Sequence, residues 1–234
     1  MVALDGPSGT GKTTVARKLA ATLGAGYLDT GAMYRLVTLA VLRAGIDPQD
    51  PGAVAALASE VEVGVGTDPA RPRAQLGGQE VGEEIRTEPV NAAVSAVSAV
   101  PEVREILVAG QRRIIAHVLD TVGGIVVDGR DIGTVVAPDA PLKVFLTASP
   151  EVRAARRSAQ DSAAGRKSTT AAARASVERR DELDSTRTAS PMRPAGDAVV
   201  FDTSDLNIEQ VLVALSELAS QRGLLGGEFA EACR

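Results

Sequence analysis

A chain of 234 residues has room for one large domain or for a core with an inserted subdomain. Hydrophobic residues make up 44% of it but aromatics only 2%, with no Trp, so its core must be built from Val, Leu, Ile and Ala. The net charge of −5 argues against a protein that wraps nucleic acid; one Cys, Cys233, allows no intrachain disulfide; and one His, His117, leaves no Cys/His zinc site and a single residue on which a Ser-His-Asp or Cys-His centre would have to rest.

No apolar run has the form of a signal peptide or the length of a membrane span, so the chain reads as cytoplasmic, with neither nucleic acid nor membrane as a partner. Val2, Ala3 and Leu4 form a short apolar run that predicts a buried strand. Gly6-Pro7-Ser8-Gly9-Thr10-Gly11-Lys12-Thr13 follows and fits Gly-x-x-x-x-Gly-Lys-[Ser/Thr], the phosphate-binding loop of P-loop NTPases. Val15, Ala16, Leu19, Ala20 and Leu23 then recur at helical spacing. The motif therefore lies between a strand and a helix, as its chemistry requires. Its glycines let the backbone curl so that successive N–H groups and the positive end of the helix cradle an anion. A Gly-rich turn that merely caps a helix would have to match the motif and both flanks by accident. Residues 6–14 (through Thr14) are thus candidates for the triphosphate, Lys12 for its outer phosphates and Thr13 for Mg²⁺.

Tyr27 and Leu28 begin a second strand, which ends in Asp29-Thr30-Gly31-Ala32-Met33-Tyr34-Arg35, and helical spacing resumes from Met33. Residues 50–59 predict another helix. From 61 to 81 the period changes to two, with turn chemistry at Thr67-Asp68-Pro69 and Gly77-Gly78, which predicts two or three short antiparallel strands. Residues 86–100 turn helical. By pattern alone, residues 61–100 read equally as an insertion into an α/β core or as a surface excursion. A long helix is predicted over 101–119 and a buried parallel strand at Ile125-Val126-Val127. A fourth core strand follows at 142–146, helices at 150–158 and 171–184, a fifth strand at Val199-Val200-Phe201 and a closing helix at 208–218. Residues 159–170 read as polar and mobile, and residues 223–234 as a weakly patterned tail.

Five short strands alternating with helices predict an α/β fold of P-loop NTPase type: a five-stranded parallel sheet, helices on both faces, and a small inserted subdomain with antiparallel strands. We divide the chain into a core (1–60 and 101–222), the insertion (61–100), a lid (153–170) and a tail (223–234). Ligands in such sheets bind beyond the carboxyl ends of the strands. That rule gathers the loops at 6–13, 29–35, 128–131 and 148–157.

Asp128 follows three β-branched residues, where a Walker B acid sits, and would hold Mg²⁺ directly or through water; a structural loop-capping Asp is the rival reading. No Glu follows it, which disfavours a motor ATPase, and no Asn-Lys-x-Asp is present, which disfavours a Ras-type GTPase. A kinase for a small acceptor fits better. Such an enzyme brings two polyanions together, and Arg binds phosphate oxygens in pairs. Arg35, Arg130 and Arg187 lie at predicted loop edges, and Arg153, Arg156 and Arg157 are placed to close over a triphosphate. In a chain with 21 Arg and four Lys each single Arg also reads as a solvated surface residue. The run Arg180-Asp181-Glu182-Leu183-Asp184-Ser185-Thr186-Arg187, by itself, reads as an exposed helix with internal ion pairs.

Taken together, Asp5-Gly6-Pro7-Ser8-Gly9-Thr10-Gly11-Lys12, Leu28-Asp29-Thr30-Gly31-Ala32-Met33-Tyr34-Arg35, Glu84-Ile85-Arg86-Thr87, Asp128-Gly129-Arg130-Asp131-Ile132-Gly133-Thr134-Val135-Val136 and the cluster at 180–187 resemble bacterial cytidylate kinases, in order, from Val2 to about Leu218. The resemblance implies ATP-dependent phosphorylation of CMP and dCMP, with residues 61–100 extending the monophosphate region. Carried over by position, it implies that Thr30, Arg130 and Asp131 face the cytosine and that Ser95, Arg104 and Asp184 contact the sugar. It assigns Arg35, Arg130, Arg180 and Arg187 to the monophosphate and the transferring group. Lys12, Arg130, Arg153, Arg157 and Arg187 are the catalytic candidates. Many relatives carry Ser where this chain has Thr30; the hydroxyl survives. The chain begins almost directly at its first strand, which predicts a short one.

The base assignment has a physical basis. A carboxylate accepts from the cytosine amine, whereas uracil would face it oxygen to oxygen. An unpaired buried polar group costs about 1–3 kcal/mol, so a preference for CMP over UMP of roughly tenfold or more is expected. The leading reading is a monomeric nucleoside monophosphate kinase using Mg-ATP, with direct in-line transfer. The alternatives are a P-loop kinase for another small acceptor and a nucleotide-binding regulatory module without turnover.

Overall fold

The computed structural model describes residues 1–163, 165 and 169–224. In chain order its elements are β1 (Val2–Asp5), α1 (Lys12–Thr22), β2 (Gly26–Asp29), α2 (Thr30–Arg43), α3 (Pro51–Glu60), β3 (Val63–Val65), β4 (Ala74–Leu76), β5 (Gln79–Glu80), α4 (Glu88–Ala99), α5 (Pro101–Val122), β6 (Ile125–Asp128), β7 (Leu142–Thr147), α6 (Pro150–Ala163), α7 (Thr170–Thr186), β8 (Val199–Asp202) and α8 (Ile208–Gln221). A 3-10 turn at Glu84–Arg86 precedes α4, and a π-helical turn at Ile132–Val136 follows β6.

The main sheet has the order β2-β6-β1-β7-β8, and every neighbouring pair is parallel. The predicted five-stranded parallel sheet is therefore present, with β1 at its centre. Although β1 has only four residues, it is paired along both edges, with β6 and with β7. Alternation along the strands splits the apolar residues between two faces. Ala3, Leu28, Ile125 and Val127 pack with Val103, Leu107 and Val118 of α5 and Met33 and Val37 of α2. Val2, Leu4, Tyr27, Val126, Leu142, Val144 and Leu146 pack on the other face against α1 and α8. This alternation, which a run such as Ile125-Val126-Val127 hides by being apolar throughout, is what makes the sheet a three-layer sandwich.

The antiparallel strands predicted between 61 and 81 form a separate sheet, β3-β4-β5. Val63 and Val65 of β3 reach the main core from its edge. Ala74 and Leu76 pack instead on Ala32, Leu36, Leu39 and Ala40 of α2, together with Val81, Ile85 and Val90. α2 thus carries apolar residues on two sides, one for each sheet. It begins at Thr30, earlier than the periodicity alone suggested, because the Asp29 carboxylate caps it by accepting from the Ala32 N–H at 3.0 Å.

Helix α6 extends to Ala163, so the segment expected to turn irregular at Ala159 is helical through that point. The Arg157–Asp161 ion pair, at 3.3 Å and spaced i,i+4, supports this extra turn where apolar periodicity gives no signal. The remainder of the predicted lid includes residues 164 and 166–168, and the predicted tail includes 225–234; both sets lie outside the described residues. Among the described residues no helix is long and apolar enough to cross a membrane.

Gly6 shows how tightly the phosphate loop is joined to the sheet. Its φ is +140°, and a Cβ there would lie 2.1 Å from the Leu146 carbonyl oxygen in the neighbouring strand. Gly6→Ala therefore forces β1 and β7 apart at their carboxyl ends. We expect a loss of about 4 kcal/mol, or a Tm about 10 °C lower. A melting curve within about 2 °C of the wild type would show that the strands accommodate the methyl group without cost.

Candidate active site

The carboxyl ends of β1, β2, β6 and β8 open onto one cavity of about 640 Å³. The loop from β1 into α1 forms its floor. Gly11 caps α1 in the left-handed region, at φ 87°, with no side-chain cap, so the first N–H groups of the helix face the loop. Lys12 is buried and its Nζ donates to the Pro7 carbonyl at 2.8 Å and approaches the Thr10 hydroxyl at 3.5 Å. Burial first, and the nearby Arg130 second, pull its pKa down to about 7, while Asp128 opposes them. At the end of β6, Asp128 accepts from the Thr13 hydroxyl at 2.5 Å. Burial pushes the Asp128 carboxyl up from its ordinary value, and Lys12 counters it.

The opposite end of the cavity is built from α2, α4, α5, α7 and the turn after β6. Arg35 is buried and its Nη1 donates to the Ile85 carbonyl at 2.9 Å and to Asn91 Oδ1 at 2.8 Å. Asp131 is clasped by Arg104, and Arg187 stands 3.8 Å from its other oxygen. Arg104 also lies over the Tyr34 ring, 5.2 Å from its centroid. Asp184 is the second carboxylate hub, with Arg130 at 3.2 Å and Arg180 and Arg187 each at 3.9 Å. The Thr30 hydroxyl donates to the Asp128 carbonyl at 2.8 Å, which leaves its oxygen free to accept.

The walls carry nine cationic side chains against five carboxylates, a local excess of four positive charges in a chain of net charge −5. Burial and mutual repulsion act on these cations together. Burial lowers the Arg180 pKa to about 10, with Arg130 adding to it. Burial and then Arg180 hold Arg35 well below its usual value, and burial and then Arg104 lower Arg187. Desolvated guanidinium groups crowded in this way favour anions between them.

Most of the sequence-predicted residues meet here. Ser8, Gly9, Thr10, Gly11, Lys12, Thr13 and Thr14 line the cavity, as do Thr30, Arg35, Arg104, Asp128, Arg130, Asp131, Arg157, Arg180, Asp184 and Arg187. Gly6, Pro7, Ser95 and Arg153 are not on its wall. Ser95 turns its carbonyl to the Ser98 hydroxyl at 3.1 Å, and Ser98 is the serine that reaches the cavity. Arg153 is tied to Asp181 and donates to the Ser8 carbonyl at 3.2 Å and the Ala148 carbonyl at 3.1 Å. It braces the outside of the phosphate loop, whose Ser8 N–H donates to the same Asp181 at 3.0 Å.

Arg156, expected with Arg157 to close over a triphosphate, is on the wall, whereas Leu206, Asn207, Ile208 and Arg86 are wall residues to which the sequence reading gave no role. Arg156 lines the cavity and donates to the carbonyls of Thr10, Thr203 and Leu206 at 3.3, 2.6 and 3.1 Å. Leu206, Asn207 and Ile208 form the wall beside it. They follow β8, and the rule that gathers loops at the carboxyl ends of strands applies to this strand as it does to the others. Arg86 lines the wall near Asp29, to which it is paired at 3.2 Å.

Across this cavity the Gly6–Thr13 loop faces an arginine cluster built around two buried carboxylates. The family model for cytidylate kinase matches residues 2–221. The chain belongs to the cytidylate kinase family. It is 57% identical over 226 residues to the cytidylate kinase of Rhodococcus opacus (strain B4), covering 97% of each chain. It is 56% identical over 222 residues to that of Nocardia farcinica, covering 95% of this chain and 94% of the relative. With the cytidylate kinase of Corynebacterium glutamicum it shares 54% over 225 residues, covering 95% and 96%. Among solved structures, an uncharacterized protein from Eubacterium ventriosum shares the fold with a TM-score of 0.52 at 11% identity, covering 94% of this chain and 97% of its own. Membership of a kinase family implies ATP as the phosphoryl donor.

Proposed function

We propose that the chain transfers the γ-phosphoryl group of ATP to CMP and dCMP, giving CDP and dCDP. The observation that carries this reading is the pairing, in one cavity, of the Lys12 loop with an arginine cluster built around Asp131 and Asp184. The loop N–H groups and Lys12 hold the triphosphate, for which Lys12 must leave the Pro7 carbonyl. Arg35, Arg130, Arg180 and Arg187 hold the acceptor phosphate and offset the repulsion between the two polyanions. Asp131 and Thr30 accept from the cytosine amine, Arg130 donates to a ring acceptor, and Asp184 and Arg104 face the sugar. Transfer is direct and in line: the acceptor phosphate oxygen forms the new P–O bond as the bond to the ADP oxygen breaks. Lys12 and Arg157 stabilise the charge on the transferring group.

Mg²⁺ fits the donors that are present. Thr13 Oγ1 and the Asp128 carboxylate are hard oxygens 2.5 Å apart beside the loop, and Mg²⁺ takes one or two protein oxygens with phosphates and water completing its shell. When bound, Mg²⁺ neutralises charge on the phosphate oxygens. Residues 61–100 supply the acceptor side, since Ile85 and Asn91 hold Arg35 in place.

The test is a coupled assay of ADP release from Mg-ATP against CMP, dCMP, UMP, AMP, GMP, dTMP and no acceptor. Strong turnover with CMP and dCMP, at least about tenfold above UMP in kcat/KM, is the expected result. Preference for another acceptor would keep the kinase and discard the cytosine pocket. ATP binding without turnover on any acceptor would overturn the reading.

A further inference from the structure

Asp5 belongs to neither phosphate site, yet it is a carboxylate buried at the end of the central strand. Its two oxygens accept from the Ile132 and Gly133 N–H groups, each at 2.8 Å. These are the two peptide groups that follow Asp131. They open the turn Ile132–Val136, whose far end is anchored differently. Arg112 of α5 donates to the Val135 and Val136 carbonyls at 2.7 and 3.1 Å. The turn is therefore held by an anion at its N–H end and a cation at its carbonyl end, the sense that peptide dipoles favour.

The two anchors differ in what lies behind them. Arg112 belongs to a helix that packs behind the sheet. Asp5 is joined directly to Gly6, the first residue of the phosphate loop. Burying a carboxylate is costly, and burial pushes Asp5 up to about 6 even though both N–H groups favour its charged form.

In the structure each ligand site is also engaged internally. Lys12 rests on the Pro7 carbonyl, and Asp131 is clasped by Arg104. A triphosphate must draw Lys12 from the Pro7 carbonyl, and a cytosine amine must share the Asp131 carboxylate with Arg104, at the oxygen from which Arg187 stands 3.8 Å away. We infer that Asp5 is a positioning residue that links these two adjustments, so that ATP and CMP strengthen each other's binding through the strut from Gly6 to Asp131. The inference rests on the acceptor reading above. The coupling is reciprocal, and each ligand contributes only through contacts it makes in the adjusted arrangement.

The experiment is calorimetric titration of CMP into the protein with and without Mg²⁺ and a non-hydrolysable ATP analogue, for the wild type, Asp5→Asn and Arg112→Met. In the wild type the analogue should tighten CMP binding about fivefold or more. Asp5→Asn should reduce that factor to within about twofold of unity. Arg112→Met loosens the same turn without touching the phosphate loop, and should weaken CMP binding while the analogue still tightens it. No tightening in the wild type, a factor preserved in Asp5→Asn, or a factor lost equally in Arg112→Met would each overturn the link. If Asp5→Asn does not fold, the wild type decides by hydrogen exchange. The Ile132 and Gly133 amides should exchange at least about tenfold more slowly on adding the analogue alone, and unchanged exchange would overturn the inference. A wild-type protein that binds no CMP would sink the acceptor reading, and the exchange measurement would still decide on Asp5.

Discussion

Lys12→Ala is expected to lower kcat with CMP by about 10²–10³ or more while KM for CMP changes by less than about threefold. The split follows from where Lys12 stands. It lies at the floor of the cavity, beside the loop N–H groups, whereas the arginines around Asp131 and Asp184 belong to α2, α5, α7 and the turn after β6. Removing Lys12 leaves that acceptor end intact and removes a cation from the transferring group. Stability should respond little. Lys12 makes two internal hydrogen bonds, one of them long at 3.5 Å, but burial beside Arg130 disfavours its charged form. The two contributions oppose each other, and a Tm within about 3 °C of the wild type is expected. Turnover retained to within about tenfold would show that Lys12 is not needed at the transferring group. A collapse of Tm would show instead that its bonds to Pro7 and Thr10 hold the loop together.

That Lys12 and its loop can be found from the sequence reflects how local the signal is. Eight consecutive residues, a strand before them and a helix after them carry it. Four of the five loops at the sheet edge were gathered in the same way, from short apolar runs and a rule about parallel sheets. What escaped depends on residues far apart in the chain. Arg104 and Asp131 are separated by 27 positions and Arg153 and Asp181 by 28, and neither pairing has a spacing that any periodicity would mark. Arg153 looked like its neighbours Arg156 and Arg157. Only the fold shows that it braces the loop from outside whereas the other two line the cavity. Ser95 and Ser98 lie on the same helix, three residues apart, and which one reaches the cavity is set by how α4 packs on α2 rather than by sequence. The length of α6 is hidden from the sequence for a related reason. Its last turn is held by an ion pair and not by apolar residues.

Asp131→Asn is expected to bring the kcat/KM ratio of CMP over UMP from roughly tenfold or more down to about unity, because an amide can turn either an acceptor or a donor towards the base. The alanine variant answers a different question. Asp131 is buried between Arg104 and Arg187, and Asp131→Ala leaves two guanidinium groups facing each other without the carboxylate. Breaking a buried pair from one side costs about 3–5 kcal/mol, or a Tm lower by about 10 °C. The asparagine keeps the shape and one accepting oxygen for Arg104, so it should lose much less stability. Discrimination and stability should therefore separate across the two variants: both lose selectivity, and only the alanine melts much earlier. KM for ATP should change by no more than about fivefold in Asp131→Asn, the size of the coupling proposed between Asp131 and the phosphate loop. If Asp131→Asn keeps the full preference for CMP, the carboxylate serves only to hold Arg104 and Arg187 in place. Base selection would then fall to Arg130 and Thr30, the other two groups assigned to the base at the same edge.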